Sequence, residues 1–413
     1  MQQPTAAIEL PGTHAAGGHS SPDTPPELRP ITRNRQILVL ISGFLTICIT
    51  IGFNQSYGVF QNYYISPTQT MLPKSTRSDG ALVAFIGTLG YGLTWSGSIF
   101  VNPAMARLGV RGNRGLGILG VCFMSLGFLL ASFSTQYFTS HRGSAMGFIL
   151  SGAGVGGLVF SPLIRALLTA IGPRWTLRLL ALLNLTISLP VALTSAPSRF
   201  IGRRPTHVDL KLALKPAFLF SAGAAFLQAG GNGLPATFLP EYSVALGYSA
   251  SAGASLLAVS NAVNSVSRIV TGYAGDKCGR QNTLIVTVLV CVMSVLGLWL
   301  ESTQDGGKAV LWVLFVVCYG VAGGGYNALF PTTVAEVFGI HAYASVNGFM
   351  YFIRGLGTMA GSPIGGQILG ESKLVNYKNV VWFDAALLGG AALCVVGVRW
   401  WDAVEKRSWK WRA

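Results

Sequence analysis

Two arginines, Arg268 and Arg354, stand inside long apolar stretches, and polar side chains recur around each at helical spacing. Asn261, Asn264 and Arg268 share one helix face, and Asn347, Tyr351 and Arg354 share another. A charge at the centre of a bilayer costs about 2.5 to 3.5 kcal/mol even on the most forgiving scale, so such faces point at other helices or a cavity. For Arg268 two readings stand: it binds substrate, or it snorkels to the cytosolic surface or pairs with helix carbonyls. Arg354 lies nearer the middle of its stretch, which favours binding. The acidic side is thinner. Most of the 14 carboxylates fall in tails or loops, and Glu241, Glu336 and Asp384 sit at the edges of apolar runs, where an interfacial role is expected over a coupling one. None of the five histidines lies deep in a run, and no His, Cys or paired carboxylates gather at catalytic or metal-ligand spacing. Enzyme chemistry, a bound metal and a cofactor are not expected. Aromatic residues inside the runs (Tyr57, Phe60, Tyr91, Trp95, Tyr319, Tyr326, Tyr351) exceed what interface belts need; a cavity for a bulky, partly apolar ligand gives this pattern, and so does aromatic packing alone.

The elements that must hold these residues are membrane helices. Of 413 residues, 51% are hydrophobic and 10% charged, which excludes an ordinary soluble chain. Basic residues outnumber acidic ones 29 to 14, but the excess lies in short loops between apolar runs, a positive-inside pattern and not a nucleic-acid footprint. Runs long enough to span fall near 37–59, 81–102, 115–133, 145–169, 177–194, 216–239, 250–271, 283–300, 309–334, 345–369 and 380–400. Backbone groups in lipid must be satisfied internally, and runs of this length meet that demand as helices. The expected organisation is a disordered cytosolic tail at 1–36, an N-terminal helical half at 37–194, a basic central loop at 195–215, a six-helix half at 216–400 and a basic cytosolic tail at 401–413. The six cysteines are scattered singly and give no disulfide framework.

An internal repeat relates the halves. PAMARLGVRGNR at 103–114 corresponds to GYAGDKCGRQN at 272–282 with Gly109 on Gly279, an offset of 170. The segment from His141 corresponds to that from His341 with Gly147 on Gly348, an offset of 201. Between these anchors the second half has two apolar runs and the first has one, so helix four of a twelve-helix plan is missing. With one helix fewer, both the central loop and the C-terminal basic cluster fall outside, against the positive-inside rule; restoring a helix near 137–138 returns both to the cytosol. Gly152 and Gly156 in one copy, and Gly357, Gly361 and Pro363 in the other, are read as close helix packing with a kink at Pro363, and as a hinge in the sharper reading.

Gly272 to Arg280, GYAGDKCGR, resembles the signature loop of the major facilitator superfamily. The resemblance implies that Asp276, Lys277 and Arg280 latch helix ends at the cytosolic face, with Arg107 in the other copy, where Ala106 replaces the acid. GFNQSYGVFQNYY at 52–64, HRGSAMGF at 141–148, SRIVTGYAGDKCGR at 267–280 and PTTVAEVFG at 331–339 resemble fungal monocarboxylate porters, over roughly residues 37–400. An Asp and an Arg four residues apart bind proton and carboxylate in the animal members; the matching positions here are Asn264 and Arg268, and a helix-one Lys is replaced by Gln55. Asn54 and Gln55 therefore join Asn264, Arg268, Tyr351 and Arg354 as expected substrate-binding residues, with family-type proton coupling weakened. The resemblance extends to a fungal branch encoded beside secondary-metabolite pathways, whose members are taken to export the product.

The expectation is an all-α, multi-pass two-half bundle in the plasma membrane, monomeric, exporting a small organic metabolite or anion by alternating access. Proton-coupled uptake of a small monocarboxylate is one alternative. A non-transporting protein that lacks one cavity helix is another.

Overall fold

The computed structural model of the chain describes residues 32–66, 69, 71, 79–97, 142–193, 210–304, 309–370 and 373–406. The apolar run 115–133, Arg107 and most of the expected tails and central loop lie outside the described residues. Those described are helix, turn or connection, with no strand among them.

In chain order the helices are α1 (Arg33–Gln55), α2 (Tyr57–Ile65), α3 (Gly80–Ser96), α4 (Arg142–Ala170), α5 (Gly172–Leu193), a short α6 (Leu210–Ala213), α7 (Pro216–Ala245), α8 (Ala250–Cys278), α9 (Arg280–Ser294), α10 (Ala309–Leu369) and α11 (Tyr377–Glu405). α1 thus begins inside the expected tail, and α11 runs past the expected end of the last span. A π-helical turn, Val295–Trp299, prolongs α9. Local chemistry sets several boundaries. The Asp79 carboxylate accepts from the amides of Ala81 and Leu82 at 3.0 and 3.1 Å, and the Ser249 hydroxyl accepts from Ala252 at 3.1 Å, so both start helices. Pro216 opens α7 at the one position where its missing N–H costs nothing. Gly339, at φ 79°, breaks α10 into two arms, α10a (309–338) and α10b (340–369). The backbone stays helical through Pro363, and the break at Gly339 falls in the gap between the expected runs 309–334 and 345–369.

Five stretches among the described residues are long and apolar enough to cross a membrane: Gln36–Ile65, Gly147–Ala170, Arg280–Ser302, Ala309–Gly339 and Leu374–Glu405. α8 shows why others fall short. Its buried face carries Asn261, Ser265, Ser267 and Arg268, while Val259, Val266, Ile269 and Val270 are exposed. Polar inside and apolar outside is the arrangement lipid requires and water forbids.

Glycines bring the helices together, and they do so twice in the same way. A Cβ on Gly154 of α4 would collide with the Asn261 carbonyl oxygen and with Ser265 of α8; a Cβ on Gly355 of α10b would stand 2.5 Å from the Gly92 oxygen and 2.6 Å from the Ser96 nitrogen of α3. Two residues on, Gly156 abuts the Cys48 carbonyl of α1, and Gly357 abuts that of Phe226 of α7. The offset from Gly154 to Gly355 is 201, the value read from the sequence. From Gly92 to Asn261 it is 169, within one residue of the other anchor. The two registers differ by 32 residues (201 less 169), a helix and its loop.

These contacts also fix directions. α4 runs parallel to α1, with Gly52 beside Gly156, and antiparallel to α8, with Gly147 beside Arg268. α3 runs antiparallel to α10b, with Gly80 beside Gly366 and Gly92 beside Gly355. α3 therefore points toward the end of the bundle at which α4 starts. In the second half, α9 and α10a lie between the corresponding points.

Candidate functional site

The two buried arginines lie where the halves meet. Arg354 of α10b is 3% exposed and its guanidinium is ringed by aromatic faces: Trp95 of α3 at 4.5 Å, Tyr326 and Phe330 of α10a each at 5.4 Å, and Tyr351 at 5.7 Å. The ring quadrupoles attract the cation and hold it away from water. Its Nη2 donates to Asn327 Oδ1 at 2.6 Å and to Gln228 Oε1 at 3.4 Å, while Nε and Nη1 have no hydrogen-bond partner among the described residues. Trp95 stacks on Tyr351 with centroids 4.8 Å apart, so the cage spans both halves.

Arg268 of α8 is 2% exposed. Its Nε donates to Asn264 Oδ1 at 2.8 Å, and its Nη1 donates to the Leu150 carbonyl of α4. The alternative weighed from sequence, pairing with a helix carbonyl, is thus present, and the carbonyl belongs to the opposite half. Tyr91 of α3 interacts electrostatically with both arginines, and the arginines repel each other. Neither has a carboxylate partner among the described residues. Two positive charges in a low-dielectric interior with unsatisfied donors form a site that an anion would complete.

Beside Asn264 lies a small pocket of about 30 Å³, room for water in this conformation. Gln55 lines it from the end of α1, Asn232 from α7, Asn261 and Asn264 from α8, and Phe315 and Tyr319 from α10a. Gln55 reaches it because the α1–α2 run breaks at Ser56, whose hydroxyl bonds back to the Gly52 carbonyl at 3.2 Å. Asn54 is placed differently: its Nδ2 donates to the Thr50 carbonyl of its own helix at 3.1 Å. Of the sequence-derived set, the structure gathers Gln55 and Asn264 on one cavity, Arg268 behind Asn264, and Tyr351 with Arg354.

At the end of α8, beyond the predicted span, Asp276 joins the halves. One carboxylate oxygen accepts from the amide and the hydroxyl of Ser144 at the start of α4, both at 3.0 Å, and the other accepts from Arg280 at 3.0 Å. Arg280 also lies 3.7 Å from Glu336 at the end of α10a. Burial pushes the Asp276 carboxyl up, but the bonds from Arg280 and Ser144 outweigh it and hold the group below its ordinary value. Lys277 stands apart, exposed and 5.6 Å from the Tyr273 ring centroid. The helix-packing residues Gly152, Gly156, Gly357 and Gly361 all lie against backbone of a neighbouring helix.

Sequence reasoning missed the partners more than the principals. Gln228, Asn327 and Ser144 are scattered small polar residues without a spacing that marks them. Asp384, expected at a span edge, is 0% exposed, and a Cβ on Gly231, halfway along α7, would stand 2.9 Å from its Oδ1. The start of α11 lies beside Phe238 and not at the end of α7, which sets Asp384 against the middle of α7, a placement linear position cannot show. Glu241, also expected at an edge, is buried and accepts from Gln61 of α2 at 3.3 Å.

The chain resembles known proteins over most of its length. The sequence profile of the Major Facilitator Superfamily matches residues 133–362, which is 230 of the 413. An MFS-type transporter of Aspergillus niger, pynF, is 28% identical over 411 aligned positions that cover 92% of this chain and 91% of that protein. The agnestins efflux protein AgnL12 of Paecilomyces divaricatus is 26% identical over 401 positions, 89% and 87% of the two chains. Among solved structures, the human organic anion transporter MFSD10 superposes with a TM-score of 0.65 at 14% identity, covering 88% of this chain and 100% of that one, a likeness of fold. With more than half of its length matched, the chain belongs to the Major Facilitator Superfamily and is a multi-pass membrane transporter.

Proposed function

We propose that this transporter exports an aromatic organic anion of secondary metabolism across the plasma membrane, as a monomer, by alternating access about the Arg268–Arg354 region. The observation that carries the reading is Arg354: a buried guanidinium with four aromatic rings around it and, among the described residues, two unpartnered nitrogens and no carboxylate beside it. A planar anion would meet the free N–H groups, and its apolar part would meet the rings. The names of the relatives support the direction and class of substrate: one is an efflux protein for agnestins, and the structural neighbour is an organic anion transporter. In this reading the Asp276–Ser144 bonds hold one end of the two halves together, and the glycine contacts between α4 and α8 and between α3 and α10b are the surfaces on which the halves rock.

Ligand-induced stabilisation tests the site. A ligand that binds the folded chain at 100 times its Kd adds about 2.7 kcal/mol of stability. Aromatic carboxylic acids screened against the purified chain should raise its melting temperature more than their neutral amides do, and Arg354→Gln should abolish the difference. Equal stabilisation by acids and amides would remove the anion from the proposal.

A further inference from the structure

Neutral polar groups from both halves meet around the pocket beside Asn264, and they are not satisfied by one another. The pocket holds about 30 Å³, room for about two waters, and no charged residue lines it. Gln55 of α1 and Asn232 of α7 line it, and neither side-chain amide has a hydrogen-bond partner among the described residues. Asn261 and Tyr319 line it too, at 4% and 6% exposed, and the Asn261 Nδ2 and the Tyr319 hydroxyl are likewise open.

Asn264 completes the set, and Arg268 decides which end of its amide is offered. A guanidinium only donates, so the Asn264 Oδ1 turns to the Arg268 Nε at 2.8 Å and the amino group is left free. A Cβ on Gly323 of α10a would stand 3.7 Å from the Asn264 Nδ2 and 3.3 Å from the Asn232 Oδ1, so a donor and an acceptor converge over that glycine. One turn further along α10a, Asn327 donates to the Gly323 carbonyl at 3.4 Å and accepts from Arg354 at 2.6 Å. The amide pocket and the Arg354 cage are therefore about one helical turn apart, roughly 6 Å along α10a.

Buried polar groups in folded proteins are paired, because an open donor or acceptor away from water bears its full desolvation cost. Amides that served packing alone would close on backbone, as Asn54 does on the Thr50 carbonyl. We infer that this pocket is a subsite for an uncharged hydroxyl of the substrate, which donates to the Asn232 Oδ1, accepts from the Asn264 Nδ2 and takes the place of water. A hydroxyl does both, whereas an ether oxygen only accepts. The inference rests on the aromatic-anion reading and deepens it: the substrate is a hydroxylated aromatic acid, its carboxylate at Arg354 and its hydroxyl about one helical turn away.

Affinities read from the dependence of melting temperature on ligand concentration, in the purified full chain, test this with defined probes. Phenol and anisole carry no charge and so probe the subsite alone. Phenol should bind about fivefold tighter than anisole to the wild-type chain, and the two should bind equally to Asn232→Leu. Gln55→Leu serves the same comparison where Asn232→Leu folds poorly. Of 3- and 4-hydroxybenzoic acid, at least one should outbind its methyl ether by the same margin, and neither should do so in the variant. Equal binding of phenol and anisole to wild type, or a phenol preference that survives in both variants, overturns the subsite. If phenol keeps its margin while aromatic acids bind no better than their amides, the subsite stands and the anion reading fails. If the acids outbind their amides but neither hydroxyl isomer outbinds its methyl ether, the anion reading stands and the subsite falls.

Discussion

At the scale of single residues, the account turns on what each charge lacks. Arg354 has rings and amides around it and two nitrogens to spare. Lysine at that position would keep the charge and lose the planar fork and its stacking. Arg354→Lys should therefore weaken binding of an aromatic carboxylate by about tenfold, roughly 1.4 kcal/mol, as read by ligand-induced shift in melting temperature. Asp276 makes the opposite case, a carboxylate satisfied on both oxygens. Its carboxyl is depressed in the folded chain, so its contribution is complete above the ordinary value of 3.8 and is lost as pH falls through the lower folded value. With spin labels at Arg33→Cys and Lys277→Cys in a cysteine-free background, Asp276→Ala should broaden the distance distribution at pH 7. Wild type should broaden only in acid below the carboxylate range. Identical distributions at pH 7 would show that this contact does not hold the halves. The principals, Arg268, Arg354 and Asp276, were legible because a charge in or beside an apolar run is conspicuous. Their partners were not, since Gln228, Asn327 and Ser144 are recognisable only once helices far apart in sequence are packed.

At the scale of helices, glycine sets the spacing. Gly154 and Gly355 occupy equivalent positions against α8 and α3, so a methyl at either must push backbone apart. Overpacking of this kind costs about 1 to 3 kcal/mol. Gly355→Ala should lower thermal stability by that order, whereas Gly90→Ala, on the same helix as Gly92 but facing open space, should leave it within about 0.5 kcal/mol or raise it. Helix boundaries and the repeat were readable from apolar run length and the paired motifs. The break at Gly339 was readable too, because it falls in the gap between the runs 309–334 and 345–369. The 32-residue difference between the two registers bears on the first half directly. α3 points toward the end at which α4 begins, and the corresponding helices of the second half, α8 and α10b, have two helices, α9 and α10a, between them. Residues 98–141 hold one apolar run, 115–133. Sequencing the transcript across the Tyr137–Phe138 junction should recover coding sequence for a further helix. Uninterrupted genomic sequence there, with no intron, leaves a true deletion as the explanation.

At the scale of the molecule, two halves share one polar interior and turn their apolar faces outward, which is the arrangement of a transporter and of no soluble fold. Three charged residues are among those that bridge the halves: Arg268 to the Leu150 carbonyl, Arg354 to Trp95, and Asp276 to Ser144. A ligand that takes up the free donors of Arg354 acts on the contact between halves, which is how binding would be converted into movement. The most direct measurement is metabolite profiling of cells and medium, taken separately, in a strain lacking this gene and in strains expressing the wild-type chain or Arg354→Ala. The account predicts an aromatic acid that accumulates inside the deletion strain, moves to the medium with the wild-type chain and stays inside with Arg354→Ala. Identical partitioning of every metabolite in all three strains would contradict it.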